Sequence, residues 1–269
     1  MPVDHYENFP VASILLPGHL RRPVELIYQF ARQADDFADE GDLTDAERLR
    51  LLDGFRTELR LIENGSKSEN AMFDDLADII RQHRLPYGLF HDLLDAFSQD
   101  VVKKRYANFD EVLDYCRRSA NPVGRLLLHL YGAATPANLH LSDNICTSLQ
   151  IINFLQDVAV DYQKNRIYLP QDEMAKWGVS ESMIAAREAG GVWPDFMAMQ
   201  VGRMLQMMRA GAPLGRILKG RTGLEMRMIV AGGTRILEKI SSKQGDIYRH
   251  RPKLDAADWA LMMYRSIVI

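Results

Sequence analysis

Cysteine is scarce: Cys116 and Cys146 are the only two in 269 residues. That excludes a disulfide-built scaffold and suits a reducing compartment. No Cys/His spacing of the zinc type occurs. A basic excess is missing as well. Lys and Arg number 33 against 36 Asp and Glu, a formal net charge of −3, which argues against nucleic acid as the main partner. Long apolar runs are absent; Leu126 to Ala134 is interrupted by His129 and is too short to span a bilayer. The opening MPVDHYENFP has no basic start followed by an apolar stretch, so no signal peptide is expected. The expected location is cytoplasmic, at most peripheral to the inner membrane. Linkers rich in Pro, Gly or Ser, clear repeats and alternating strand patterns are also missing.

What is present is helical. The chain is 47% hydrophobic and 26% charged, enough to bury a sizeable core. Apolar residues recur at three- and four-residue spacing almost throughout. Val24, Ile27, Phe30, Ala31 and Ala34 form one stripe after Pro23, read as lying near a helix start. Further helices are expected over 44–63, closed by Asn64-Gly65, and over 70–82, 86–98, 110–130, 139–161, 193–210, 222–242 and 254–269. Residues 165–171 read as a loop and 211–223 as a basic, glycine-rich connection. The expected architecture is one all-α helical bundle over residues 1–269.

Two polar patterns stand out. In Tyr28-Gln-Phe-Ala-Arg-Gln-Ala-Asp-Asp-Phe-Ala-Asp-Glu40, Asp35 and Asp39 are one helical turn apart, roughly 6 Å. Asp36 sits beside them and Arg32 shares their face, while Phe30, Ala34 and Phe37 lie opposite. A divalent cation turns such repulsion into attraction; Mg²⁺ takes carboxylate and phosphate oxygens, and Arg32 suits a phosphate. Alone, the pattern fits a solvated acidic helix end equally well. The second pattern decides more. Gln150, Asn153, Asp157 and Asp161 fall on one stripe of a helix flanked by Ile151, Ile152, Phe154, Leu155, Val158 and Val160. A helix so apolar elsewhere belongs in the interior, where unpaired carboxylates are costly. Its polar stripe therefore implies a wet cavity, a metal or a ligand. Two such stripes facing one another suit a cluster of Mg²⁺ ions holding a diphosphate, beside an aliphatic cavity for a long hydrocarbon.

The chain resembles the squalene/phytoene synthase family over nearly its whole length, most weakly beyond about Gly211. Asp35-Asp36-Phe37-Ala38-Asp39 and Asn153-xx-Gln156-Asp157-xxx-Asp161 carry the resemblance. The segments His5–Ser13, Leu15–Pro17, Asp157–Asp161 and Arg166–Gln171 look like the branch that forms hydroxysqualene in bacterial hopanoid synthesis. The resemblance implies an all-α isoprenoid synthase fold with a central cavity. It implies Mg²⁺ on Asp35, Asp39, Asp157 and Asp161, phosphate contacts from Arg32 and Arg166, and Gln150 and Asn153 lining the site, with Tyr28 a further candidate to bind substrate and stabilise a cation through its ring. Tyr115 matches a tyrosine near the reacting carbons. Asn8, Pro10 and Gly232-Gly233 depart from relatives that condense two prenyl diphosphates, which fits an enzyme starting from presqualene diphosphate. The partners implied are that substrate and other enzymes of the squalene pathway. The alternatives are a head-to-head transferase using farnesyl diphosphate, a lipid carrier, and a helical assembly factor that has lost its chemistry.

Other features read as ordinary structure. His129 is expected to be a hydrogen-bonded core residue. Asp74, Asp75 and Asp78 are expected on a solvated face, and Lys103-Lys104-Arg105 on the surface. Trp259 to Ile269 reads as a packed terminal helix in preference to a membrane-resting one. Among 13 methionines, Met197, Met204, Met208, Met226 and Met228 fit either flexible core packing or an adaptable wall for a hydrocarbon.

Overall fold

The computed structural model describes residues 16–249 and 251–268. The helix α1 (Gly18–Asp39) starts five residues before Pro23, so the proline lies inside the helix and is not its starting signal. Next comes α2 (Asp45–Glu63), opened by a capping box in which Thr44 and Glu47 satisfy each other's backbone N–H. It ends where Gly65 takes φ +76°, a left-handed turn that suits glycine. Then follow α3 (Ala71–His83) and α4 (Tyr87–Val102). The expected helix over 110–130 is in fact two, α5 (Phe109–Ser119) and α6 (Asn121–Leu130). Pro122 has no N–H to continue the ladder, and the chain breaks at Ala120.

The long α7 (Pro136–Gln163) is opened by the Thr135 hydroxyl, which accepts from the Asn138 N–H. Two short helices not expected from the periodicity follow, α8 (Gln171–Trp177) and α9 (Glu181–Ala185); they are too brief to show a repeat. After α10 (Trp193–Gly211), the expected connection contains a single-turn helix, α11 (Leu214–Ile217), and the start of α12 (Gly220–Ser242). The helix α13 (Ala256–Val268) closes the described chain.

Two apolar cores form. One gathers α1–α4 around Phe30, whose ring meets Phe55, Phe73 and Phe90 at centroid distances of 5.7, 5.9 and 5.3 Å. The other surrounds α7 and α10, and includes Trp193, Phe196, Met197, Met204 and Met208. Close helix approach needs glycine at position 211, where a Cβ would sit 2.7 Å from the Leu141 carbonyl oxygen. No described helix is long and apolar enough to cross a membrane.

The smaller expectations divide. Asp75 pairs with Arg22 and Asp78 with Arg81 on an exposed face, as expected, whereas Asp74 is partly buried and accepts from the Ser68 backbone N–H. His129 is half-buried, and burial lowers its pKa. The basic triplet is not a free surface patch, for each member is partly buried and engaged. Lys103 pairs with Glu111, Lys104 donates to the Asp100 carbonyl, and Arg105 pairs with Glu181. Arg105 also forms an isolated bridge to Ile167, so the triplet anchors the segment after α7.

Candidate active site

A cavity of about 450 Å³ lies at the seam of the two cores. Its walls take Val24 and Ile27 from one core and Ile152, Met226 and Ile236 from the other. This size is typical of a small-molecule site. Met197, Met204 and Met208 are buried in the core and line no part of it, so of the five methionines only Met226 is among its lining residues. A second, polar chamber of about 190 Å³ adjoins it. The two share Asp35, Tyr115, Gln150 and Asn153.

The sequence-chosen residues are brought together here. Asp35, Asp39, Tyr115, Gln150, Asn153, Asp157, Asp161 and Arg166 line the polar chamber. Tyr28 and Arg32 line the apolar one. The helical stripe on α7 therefore lines these chambers, with Asn153 exposed within it; on its flank Val160, expected to be buried, is exposed as well. Gln156 is buried instead, and its amide donates to the Pro252 carbonyl at 2.6 Å.

The electrostatics are those of crowded carboxylates. Burial and the neighbouring Asp39 push Asp35 up to about 7, against the pull of Arg32. Burial and Asp157 push Asp161 up to about 8. Burial acts on Asp39 too, but Lys164 and Arg166 outweigh it and hold that carboxyl below its ordinary value. Lys164 lies 2.8 Å and Arg166 2.5 Å from Asp39. Arg32 pairs along its own helix with Asp35 at 3.1 Å and Asp36 at 2.7 Å. Asp157 accepts from Arg251 at 2.9 Å.

Among the described residues, no three Asp, Glu, His or Cys side chains are already gathered as a metal cage. The four aspartates expected to form a cluster are thus not gathered into one; Asp39 is paired with Lys164 and Arg166, and Asp157 with Arg251. The donor set still fits a hard divalent ion: carboxylate oxygens from two helices face one chamber, with Asp35 crowded by Asp39 and Asp161 by Asp157. In addition, the buried Nε of Arg166 has no hydrogen-bond partner in this chamber, a donor left over for an anion.

Four participants around the polar chamber, Asp100, Tyr168, Arg251 and Lys164, were missed by sequence reasoning. Asp100, at the end of α4, is buried and accepts hydrogen bonds from the Tyr115 hydroxyl at 2.5 Å and the Tyr168 hydroxyl at 2.9 Å. Burial pushes it up to about 6, against those two bonds. The Tyr168 ring stacks on Phe154 at 3.8 Å. Arg251 belongs to a segment 94 residues beyond Asp157, and no local spacing announces it. Lys164 lies just past the second motif, where Lys beside Asp is too common to signal. Tyr131 and Glu225 both line the apolar chamber, where burial and the nearby Glu225 raise the Tyr131 hydroxyl.

Paired acidic helix faces over an apolar cavity in an all-α bundle define an isoprenoid-synthase type of protein. Comparison with known proteins narrows this. The family model for squalene/phytoene synthase matches residues 3–258, and the chain belongs to that family. It is 43% identical to the hydroxysqualene synthase of Zymomonas mobilis over 183 residues, 65% of this chain and 58% of that protein. It is 33% identical to the hydroxysqualene synthase of Sinorhizobium fredii over 257 residues, 95% of this chain and 86% of that one. The crystal structure of squalene synthase HpnC from Alicyclobacillus acidocaldarius superposes with a TM-score of 0.83 at 33% identity, covering 90% of this chain and 91% of that one. The segment 1–15, with the motif residues His5 to Ser13 and Leu15 and the departures Asn8 and Pro10, lies outside the described residues.

Proposed function

We propose that the chain, as one catalytic domain over 1–269, converts presqualene diphosphate and water into hydroxysqualene and diphosphate. The observation that carries this reading is the joining of the polar chamber to the apolar cavity through Asp35, Tyr115, Gln150 and Asn153. A diphosphate and its hydrocarbon find matching halves of one site there. Asp35, Asp39, Asp157 and Asp161 would hold Mg²⁺, which when bound supplies positive charge against the departing diphosphate. Arg166, with its unpartnered Nε, and Arg32 bind phosphate oxygens and stabilise the charge that grows as the C–O bond breaks.

The cyclopropylcarbinyl cation left behind is enclosed by aliphatic walls that exclude bulk water. Tyr28 and Tyr115 line it, and a cation over the face of such a ring gains ~1–2 kcal/mol when desolvated. One water adds to the rearranged cation, its oxygen forming the new C–O bond and its proton leaving to the released diphosphate. Tyr131 and Glu225, which line the same cavity, are the polar groups we assign to hold that water. The reaction reduces nothing, so it needs no nicotinamide.

The second reading is head-to-head condensation of farnesyl diphosphate to presqualene diphosphate or dehydrosqualene. Gly233 bears on the choice: it lines the cavity, and a Cβ there would meet the Met208 methyl at 2.6 Å. Retention of both acidic faces speaks against a non-catalytic assembly factor. Purified protein with Mg²⁺ and either diphosphate, with products identified by mass, separates these readings. Hydroxysqualene from presqualene diphosphate supports the first; turnover of farnesyl diphosphate alone replaces it with the second.

A further inference from the structure

The last helix is amphipathic the wrong way round for a water-facing element. Its two charged residues point inward. Asp258 is buried and pairs with Arg235 and Lys239 of α12, and Arg265 pairs with Glu238 of the same helix. Met262 and Ser266 are buried beside them. The outward face carries Trp259, Met263, Tyr264 and Ile267, exposed by 38, 42, 64 and 72%. These positions share one face of a helix, and no charged residue of α13 interrupts them. A contiguous apolar face of this kind marks an interaction surface.

Its neighbour identifies the occupant. The Arg227 guanidinium donates both to the Gly215 carbonyl in α11 and to the Ser266 carbonyl in α13, each at 2.6 Å. This clamp places the 216–221 turn beside the end of the apolar face. In that turn Ile217 is 48% exposed, and Arg216, Lys219 and Arg221 are exposed around it. Apolar and aromatic side chains flanked by basic ones are what an anionic lipid surface recognises: the rings and aliphatic groups enter the headgroup region while the cations meet phosphates. The lining of the hydrocarbon cavity includes Thr222, one residue past Arg221.

We propose that α13 and the α11–α12 turn form a docking face that seats the protein on an anionic bilayer. This deepens the lipid-substrate reading above and borrows its lipid context from it, but its test needs no substrate. Full-length protein is sedimented with phosphatidylglycerol/phosphatidylethanolamine vesicles and with neutral phosphatidylcholine vesicles, at low and high salt. Binding to the anionic vesicles, weakened by salt, is expected. Met263→Glu/Ile267→Glu and, separately, Lys219→Glu/Arg221→Glu should each weaken it at least tenfold. Both should keep wild-type circular dichroism and wild-type turnover in detergent; the second pair tests the idea even if the first disturbs folding. No vesicle binding by the wild type, or binding unchanged in both variants, overturns the proposal. So does a dimer, seen by light scattering, that Met263→Glu/Ile267→Glu dissolves, because a second copy is then the occupant. Turnover without vesicle binding overturns this proposal alone; vesicle binding without turnover overturns the assigned reaction alone.

Discussion

Arg166 reaches from the end of the second acidic motif to Asp39 of the first, with 2.5 Å between Nη1 and the carboxylate. One guanidinium from the segment just after α7 thus reaches the acidic face of α1, across the chamber that the proposed metal ions would occupy. With Lys164 on Asp39 and Arg251 on Asp157, the chamber carries its own counter-charges. Those contacts keep neighbouring carboxylates from repelling the helices apart before any ligand arrives.

Asp157→Asn removes one of the carboxylates assigned to Mg²⁺ and weakens the pair with Arg251. Diphosphate release from presqualene diphosphate should fall by at least ~10²-fold, the scale of losing a charge partner in the transition state. Mg²⁺ should raise the melting temperature of the wild type more than that of the variant. Near-normal turnover would show that Asp157 holds no essential metal.

Asp100→Asn keeps the shape of the buried carboxyl but removes its charge from beneath Tyr115 and Tyr168. Both hydroxyls then face a weaker acceptor, and Tyr115 loses its fixed position at the junction of the chambers. A fall in kcat of about tenfold, with native circular dichroism, is expected from disturbing charged hydrogen bonds of this kind. Unchanged kcat would leave the two tyrosine contacts a folding role only.

Tyr131→Phe and Glu225→Gln alter the polar pair on the cavity wall. If this pair holds the quenching water, the hydroxylated share of product should drop and the eliminated hydrocarbon share should rise. Mass analysis of the product mixture reads this ratio. A constant ratio at lowered rate assigns the water to another place.

Acid should loosen the last helix. Burial tends to raise the Asp258 carboxyl, but Lys239, the Asp255 backbone and Arg235 prevail and hold it well below its ordinary value of 3.8. A depressed carboxyl gives stability that is full above the unfolded value and is lost as pH falls toward the folded one. Asp258→Asn should therefore cost about 2 kcal/mol at neutral pH, discounted from a fully buried pair because its partners are partly exposed. The gap should narrow below pH 4, near that unfolded value. Chemical denaturation at several pH values measures it.

Gly211→Ala should destabilise by about 1–3 kcal/mol through overpacking. The new methyl would meet the Leu141 carbonyl at 2.7 Å and the Ile145 side chain at 2.5 Å, and backbone yields little. The melting temperature reports the change.

Much of the site was legible because helical periodicity is a local property. Asp35 with Asp39, and Gln150 through Asp161, announce a shared face by spacing alone, and the apolar flanks of α7 tell that its face turns inward. Asp100 was not legible: it lies at the end of an ordinary amphipathic helix, and only packing brings two tyrosines onto it. Arg251 reaches Asp157 across a separation no window spans. The break at Ala120 was readable in principle from Pro122, but the apolar pattern continues in phase on both sides and hides it. The methionine stripe shows the opposite limit: spacing gave the face correctly, yet could not tell a wall of the cavity from the core behind it.

The cavity at the seam has a consequence for how turnover ends. Under the proposed reaction the product has exchanged its charged diphosphate for a single hydroxyl while keeping its hydrocarbon contacts. Departure into solution would expose that chain at ~0.8 kcal/mol per CH₂, so egress, and not bond breaking, becomes the slow event in plain buffer. An acceptor phase of lipid or detergent removes this penalty. The steady-state rate should then climb when such a phase is added, while the first, single turnover stays as it was.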